Sequence, residues 1–559
     1  MKIALAQINP TVGDFAGNTG KILEYAARAA KQGVDLAVFP ELAVCGYPPA
    51  DFLEKDSFIA RAEEAIAEIA AWTAEPGRPA ILCGTVLPSP SPVGKQVRNV
   101  AALLSGGEVS FVQQKMLLPF YDVFDEQRYF EPATQQTLTC VGMEPLAITI
   151  CEDAWNDKGF WPRQLYRVDP VENLMSQWDA QPKGAAGHQR IIINISASPF
   201  WQGKAQVRQQ MLAALAERHG AFVVMVNQVG GNDSLIFDGS SLVIRPDGQV
   251  VAQAASFAED LVLFDTKDGA VPAIDPVVDE TASTWQALVL GTRDYVQKCG
   301  FKKVLVGLSG GIDSALVATI AVEALGAQNV LGVGMPSEYS SLGSIEDARR
   351  LAKNLKIRFE LLPVHDVFAQ YLTTLKPLFE GTPFGLAEEN LQSRIRGTLL
   401  MGLSNKFGAL VLTTGNKSEM SVGYCTLYGD MVGALAVIGD VMKTKVYALS
   451  RYANRQYEVI PRETIEKPPS AELRPEQLDT DSLPPYDVLD PILEAYVERY
   501  CSAEEIAEEQ GVDVALVRSV LKLVERSEYK RQQAAPVLKV TQKSFGMGRR
   551  FPIAVKVQV

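Results

Sequence analysis

Three residues of different chemistry each follow a short strand-like run in the first half of the chain. Leu36-Ala37-Val38-Phe39-Pro40-Glu41 leads to a carboxylate, Val112-Gln113-Gln114-Lys115 to an ammonium and Ile148-Thr149-Ile150-Cys151 to a thiol. Strand ends that converge at one edge bring together residues far apart in sequence. Cleavage of an amide needs a nucleophile, a base and a group that stabilises the oxyanion. Cys151 beside a positive Lys115 is expected to have a depressed pKa and a larger thiolate fraction. Glu41 can take the thiol proton, give it to departing ammonia and then activate the water that cleaves the thioester. Lys115, with a backbone N–H, would hold the oxyanion. A Ser/His/Asp or Cys/His arrangement is poorly supported, because His188, His219 and His365 fall in no recognisable motif. A lone cysteine at a strand end is more often a small buried hydrophobe. The ordered set of three carries the chemical reading.

The second half has a different signal, Gly307-Leu308-Ser309-Gly310-Gly311-Ile312-Asp313-Ser314, set between an apolar strand and an amphipathic helix. Consecutive glycines let the backbone aim successive N–H groups into one concavity, a nest for an anion. The following helix adds its positive end. Ser309 and Ser314 can donate hydroxyl hydrogen bonds, and Asp313 can hold a divalent cation bridging phosphates. No GxxxxGK[ST] lysine is present, which argues against γ-phosphate transfer. A loop gripping pyrophosphate suits attack at the α-phosphorus, leaving AMP on the substrate. The bland alternative is a glycine-rich strand–helix turn with an N-capping Asp or Ser. The loop resembles the SGGxDS signature of the N-type ATP pyrophosphatases, a family whose members differ in substrate.

Further along stand Leu412-Thr413-Thr414-Gly415-Asn416-Lys417-Ser418-Glu419, then Tyr428-Gly429-Asp430, then Gly439-Asp440-Val441-Met442-Lys443. Carboxylates and a lysine after a strand end lie where an open α/β sheet binds ligand. Residue by residue these segments resemble the NAD synthetase family. The resemblance implies that Thr414 contacts ATP, that Asp313 and Glu419 bind Mg²⁺, and that Lys443 meets phosphate. It implies that Asp430 faces the dinucleotide and places Glu419 beside it. Asn390, Arg394 and Arg396 resemble the family's dinucleotide-binding helix, although both arginines also read as solvated helix charges. Ser470, in Lys467-Pro468-Pro469-Ser470, resembles the loop closing over ATP. Lys530 would reach the dinucleotide, and the stretch 335–341 would touch adenosine.

The Glu41, Lys115 and Cys151 set resembles the triad of the nitrilase superfamily over most of residues 1–265, which implies an α-β-β-α sandwich. Within it the match is to the glutaminase domain of NAD synthetases. On that resemblance Tyr47, Tyr121 and Glu126 belong to the glutamine pocket, and Ser198 and Lys204 form its glutamine-binding pair. The stretch 156–189 is longer than a plain strand connection; with Trp155, Trp161 and Trp178 nearby, it could cover the pocket or line an interface.

These residues need a scaffold, and hydropathy supplies one. Strands are expected at 2–8, 35–39, 80–86, 146–150, 190–195 and 222–226, with helices near 18–32, 58–73 and 204–219. Pro246-Asp247-Gly248 reads as a hairpin turn. Turn formers in 267–278 suggest a boundary, giving domains 1–265 and 281–559 joined by a linker 266–280. The second series comprises helix 281–299, strand 303–308, helix 314–325, strand 330–333, helix 345–355, strand 358–361, helix 387–407 and strand 409–413. Such β-α-β alternation predicts a mostly parallel, doubly wound, Rossmann-like sheet. The polar stretch 462–487 is expected as a mobile loop over a site.

Composition narrows the partners. The chain has 559 residues, too many for one ordinary domain, and a net charge of −13, which gives no general attraction for nucleic acid. Every apolar run is broken before membrane-spanning length. Seven cysteines without a close CxxC pair suggest neither a disulfide framework nor a zinc site, so the cytoplasm is the expected compartment. The combined resemblance implies a glutamine-hydrolysing ligase. It would use nicotinate adenine dinucleotide (deamido-NAD⁺), ATP with Mg²⁺ and L-glutamine, pass through an adenylated intermediate, and move ammonia between domains. It also implies a homo-oligomer. The rivals are a ligase aminating another acceptor, a plain nitrilase fused to a regulatory nucleotide-binding module, and a non-catalytic nucleotide binder.

Overall fold

The computed structural model describes residues 1–180, 189–267 and 279–556. The chain divides into two units, Met1–Glu280 and Thr281–Val559. The expected linker stretch falls almost wholly outside the described residues, as does His188.

The first unit holds strands β1 (Lys2–Gln7), β2 (Leu36–Val38), β3 (Ala80–Pro88), β4 (Val97–Ser105), β5 (Glu108–Gln114), β6 (Thr139–Val141), β7 (Glu144–Ile150), β8 (Ile191–Ser196), β9 (Phe222–Asn227), β10 (Val229–Asn232), β11 (Leu235–Asp238), β12 (Leu242–Ile244), β13 (Val250–Gln253) and β14 (Asp260–Asp265). One six-stranded sheet runs β14-β1-β2-β3-β4-β5 and a second runs β13-β12-β9-β8-β7-β6; β10 and β11 form a separate hairpin. Alternation assigns their faces, since successive side chains point to opposite sides of a strand. Ile3, Leu5, Leu36, Val38 and Leu82 of one sheet pack against Ile148, Ile150, Ile193 and Val224 of the other. The intervening Ala4, Ala6, Ala37 and Ile81 turn outward onto the helices Phe15–Ala30 and Asp56–Trp72. On the far side Ala147, Ile192, Val223 and Met225 meet the helices Pro170–Asp179 and Lys204–His219. The result is the expected α-β-β-α sandwich. Each fully buried Ile or Leu in these layers contributes about 1.5–3 kcal/mol.

The second unit has five parallel strands, β15 (Val304–Gly307), β16 (Val330–Gly334), β17 (Arg358–Leu361), β18 (Leu410–Thr413) and β19 (Leu435–Ala436), in the order β17-β16-β15-β18-β19. This is the expected doubly wound sheet. Helix Ile312–Leu325, apolar on nearly every side, is buried along most of its length. Chain order reverses between β15 and β18, where such sheets open a crevice at their carboxyl ends. The glycine-rich loop leaves β15 and Thr414 follows β18, so both border that crevice. The stretch 462–487 is less irregular than expected: it contains a helix, Arg462–Glu466, a short turn, Asp479–Asp481, and the start of helix Tyr486–Val497.

Candidate active sites

In the first unit, Glu41 lies just beyond β2, Lys115 just beyond β5 and Cys151 just beyond β7, so both sheets contribute to one edge. The close approach at Glu41 requires a glycine opposite. A Cβ on Gly84 of β3 would fall 2.2 Å from the Leu42 nitrogen and 2.6 Å from the Glu41 Cα. Lys115 Nζ donates to Glu41 Oε1 at 2.7 Å and to Glu126 Oε1 at 2.9 Å. Asn99 Nδ2 also donates to Glu41 Oε1, at 2.7 Å, and the Ala197 N–H donates to Glu41 Oε2 at 2.9 Å. Both oxygens of the Glu41 carboxylate are thereby fixed.

Cys151 is 5% exposed and has φ +45°, a left-handed conformation that a non-glycine residue holds only where its surroundings enforce it. Two neighbours do so. Asp153 accepts N–H bonds from Ile150 (3.2 Å), Met116 (3.1 Å) and Leu117 (2.8 Å), which ties the turn after β7 to the segment after Lys115. Asn194 Nδ2 donates to the Cys151 carbonyl at 3.2 Å.

The electrostatics correct one expectation. Burial, and then Glu41, push the Cys151 thiol well above its ordinary value, and Lys115 opposes them without prevailing. The reason is that the Lys115 charge is already matched by two carboxylates. Burial works against the ammonium, but Glu126 and Glu41 outweigh it and raise its pKa well above the usual value. The resting sulfur is therefore a neutral thiol, and a thiolate has to be made by a base.

Tyr47 donates to Glu126 Oε1 at 2.9 Å, so two expected pocket residues form a second layer on Lys115. Tyr121 donates to both Glu152 oxygens at 3.0 Å. Lys204 Nζ donates to the Pro199 carbonyl at 2.7 Å and lies 5.6 Å from the Trp155 ring centre. The buried Ser198 N–H donates to Asn227 Oδ1 at 2.9 Å. Trp155 stacks on Trp161, and Trp178 is buried in the outer helix layer. Asn99, Glu152, Asp153 and Asn194 were not singled out by sequence. Only Glu152 and Asp153 had a signal, as acids directly following the nucleophile.

In the second unit Gly310 has φ +80°, and a Cβ there would lie 2.2 Å from the Ser344 carbonyl oxygen. Ser314 Oγ donates to the Gly311 carbonyl at 3.0 Å, and the Gly311 N–H donates to Ser309 Oγ at 3.2 Å. These bonds hold the loop in its turn at the start of helix Ile312–Leu325. Asn416 Nδ2 donates to Asp313 Oδ1 at 2.9 Å, and Lys443 Nζ bonds Asp313 Oδ2 while lying 3.6 Å from Glu419 Oε1. Burial, then Asp313, push Glu419 up to about 8, with Lys443 opposing. Two carboxylates thus share one ammonium, and a divalent cation would relieve the remaining repulsion. Among the described residues no group of three or more His, Cys, Asp or Glu is placed to hold a metal. The pair fits Mg²⁺ nonetheless, because that ion is commonly bound by one or two carboxylates with substrate phosphates and water.

A cavity of about 300 Å³ is lined by Gly307–Ser309 and Gly311–Ser314 of the loop, together with Thr414, Glu419, Asp430, Lys443 and Ser470. Met335, Pro336 and Ser340 line it as well, and burial pushes the Asp430 carboxyl up to about 6. Gly310, Asn390, Arg394 and Lys530 are not among its lining residues. Asn390 Oδ1 accepts from Thr426 Oγ1 at 2.7 Å, Arg394 Nε donates to the Leu427 carbonyl at 3.2 Å, and Lys530 Nζ donates to the Gly423 and Cys425 carbonyls at 2.7 Å. Arg396 lines the cavity, with Nε on the Met335 carbonyl at 2.9 Å. Tyr424, Glu472 and Asp479 line it too; no residue pattern in the sequence marked them.

Comparison with known proteins agrees with this division. The carbon-nitrogen hydrolase family model matches residues 2–167 and 183–271, and the NAD synthase family model matches residues 284–534. The chain is 50% identical over 563 residues to a glutamine-dependent NAD(+) synthetase of Synechocystis sp., covering 99% of this chain and 98% of that one. It is 42% identical over 591 residues to one from Thermotoga maritima, with the same two coverages. Among solved structures, the glutamine-dependent NAD⁺ synthetase of Acinetobacter baumannii in complex with ADP superposes with a TM-score of 0.76 at 41% identity, covering 99% of this chain and 98% of that one.

Proposed function

The chain belongs to the glutamine-dependent NAD(+) synthetases, and from that membership we propose how its residues divide the work. The protein is a ligase of NAD biosynthesis that takes its nitrogen from glutamine. The observation carrying the division of labour is the buried Glu41–Lys115 pair at Cys151, in a chain that also carries a lysine-free anion loop at a sheet switch point.

Glutamine enters the first unit with its amide carbon at Cys151. Glu41, held by Lys115, Asn99 and Ala197, takes the thiol proton as the sulfur bonds to that carbon, and Lys115 stabilises the oxyanion. The same proton then leaves on ammonia, and Glu41 activates the water that frees glutamate. Glu152 with Tyr121 suits the α-ammonium of the substrate, and Lys204, beside Ser198, suits its carboxylate. Tyr47 and Glu126 hold Lys115 from behind.

In the second unit the 307–314 loop receives ATP, as the ADP complex of the Acinetobacter baumannii protein supports. The nicotinate carboxylate of deamido-NAD⁺ attacks the α-phosphorus, pyrophosphate leaves, and ammonia displaces AMP from the adenylate to give NAD⁺. Lys443 and Ser309 neutralise and orient phosphate, Thr414 and Ser470 border ATP, and Asp430 and Arg396 face the dinucleotide. Asn390, Arg394 and Lys530 support it from outside the cavity. Asp313 and Glu419 would hold Mg²⁺, which supplies charge neutralisation for the departing pyrophosphate. Ammonia passes from the first site to the second without release, which keeps it from protonation in bulk solvent. The enzyme works as a cytoplasmic homo-oligomer, and no described helix is long and apolar enough to cross a membrane.

Deamido-NAD⁺ labelled with ¹⁸O in the nicotinate carboxylate tests this sequence. One label should appear in AMP and one remain in the carboxamide. Formation of ADP, or AMP free of label, would rule out the adenylate.

A further inference from the structure

The segment that follows the nucleophile's turn, residues 156–169, folds back onto the glutaminase site, yet the reaction above gives it no task. Asn156, only 4% exposed, accepts from the Tyr166 N–H at 3.2 Å and donates to the Tyr166 and Val168 carbonyls at 2.9 and 2.7 Å. Asp157 accepts from the Gly159 and Phe160 N–H groups, both at 2.8 Å, and pairs with Arg218 on the outer helix at 2.8 Å. These bonds close the segment into a loop that sets the Tyr166 hydroxyl in a hydrogen bond to the Glu152 carboxylate. Glu152, 6% exposed, also accepts from the Tyr121 hydroxyl, at 3.0 Å on each oxygen. Two phenols from separate segments thus grip one buried carboxylate, which forms no ion pair among the described residues. Burial, then the Glu152 charge, raise the Tyr166 hydroxyl above its ordinary value, so it stays protonated and donates. Burial raises the Glu152 carboxyl, and Lys115, Tyr121 and Tyr166 oppose that rise.

We propose that Tyr166 is a positioning residue through which the glutaminase site selects an amide bearing an α-ammonium group, its hydroxyl and that of Tyr121 aiming the Glu152 carboxylate at that group. The chemistry of the cluster selects the ligand. Buried charges are rarely left without a partner, and a carboxylate accepts at about four lone-pair positions, so two phenol donors leave room for an ammonium. Neutral phenols hold the carboxylate in place without cancelling its charge, whereas a lysine or arginine in their place would compete with the substrate. The 156–168 loop is then a wall of the glutamine pocket. This inference rests on the assignment of Glu152 to the α-ammonium and deepens it by naming what orients the carboxylate.

The test uses the full-length enzyme with Y166F, E152Q and the double variant, and compares glutamine with 4-carbamoylbutanoate, the same amide without its α-amino group. In Y166F the KM for glutamine should rise about 10-fold, the scale of one hydrogen bond to a charged group, with kcat within about twofold. Its kcat/KM for 4-carbamoylbutanoate should stay within about twofold, so the preference for glutamine falls about 10-fold. In the E152Q background the same substitution should change the glutamine KM by less than about twofold, because the two residues act as a unit. An equal loss on both amides would make Tyr166 a general support of the fold and overturn the proposal. So would effects of the two substitutions that simply multiply, or an unchanged preference in Y166F where E152Q loses it. Retention of the full preference in E152Q would instead sink the assignment of Glu152, and the proposal with it.

Discussion

Cys151→Ala abolishes NAD⁺ synthesis from glutamine, by about 10⁴-fold or more, and leaves synthesis from ammonium chloride within about twofold. The first figure is the scale at which loss of a covalent nucleophile registers. The second follows from the assignment of adenylation wholly to residues of the second unit. The substitution is small and local. Cys151 directly follows a buried strand, and its turn is held by Asp153 and Asn194 through backbone groups that alanine keeps. Glutamate release and NAD⁺ formation, followed with each nitrogen source in turn, read the two halves separately. Equal loss with both sources would refute the division of labour. Glu41→Gln should behave in the same way, because the resting thiol is neutral and needs a base. In a site where Lys115 alone had ionised the sulfur, that variant would keep substantial activity.

Asp313→Ala should remove synthesis with both nitrogen sources, by about 10²-fold or more, while glutamine hydrolysis continues at its basal rate. Asp313 binds Asn416 and Lys443 at the phosphate loop, and with Glu419 it makes the carboxylate pair suited to Mg²⁺. Loss of one preorganised electrostatic contact at developing charge costs about 10²–10³-fold. The diagnostic accompaniment is a raised Mg²⁺ requirement, measured by titrating the metal at fixed ATP. A variant that keeps its turnover and metal dependence would take Asp313 out of the cation site.

Much of this was legible in the sequence because the chemistry is written in contiguous segments. Glycine-rich turns, and single charged or thiol residues directly after strands, mark β15, β2, β5 and β7 without knowledge of the fold. Contacts made across the fold were not legible. Asn99 and Ala197 reach Glu41 over 58 and 156 residues. The Asp479 carboxylate meets the cavity through a stretch whose composition reads only as loop. The thiol illustrates the same limit. Its proximity to Lys115 was readable, but the sign of its shift depends on two carboxylates that already occupy the ammonium. Helix geometry settles another point, because Arg394 and Arg396 sit two residues apart on helix Leu386–Phe407, about 200° around its axis. Both therefore cannot face the cavity, and Arg396 does.

The central claim is that nitrogen freed at Cys151 is joined to a carboxyl group activated as its adenylate. It is tested most directly by giving the purified enzyme amide-¹⁵N glutamine, ATP, Mg²⁺ and deamido-NAD⁺, and following all products together by mass. The account predicts that glutamate and AMP rise in step and that the carboxamide of NAD⁺ carries ¹⁵N. Glutamate appearing without AMP, or NAD⁺ appearing without the label, would contradict it.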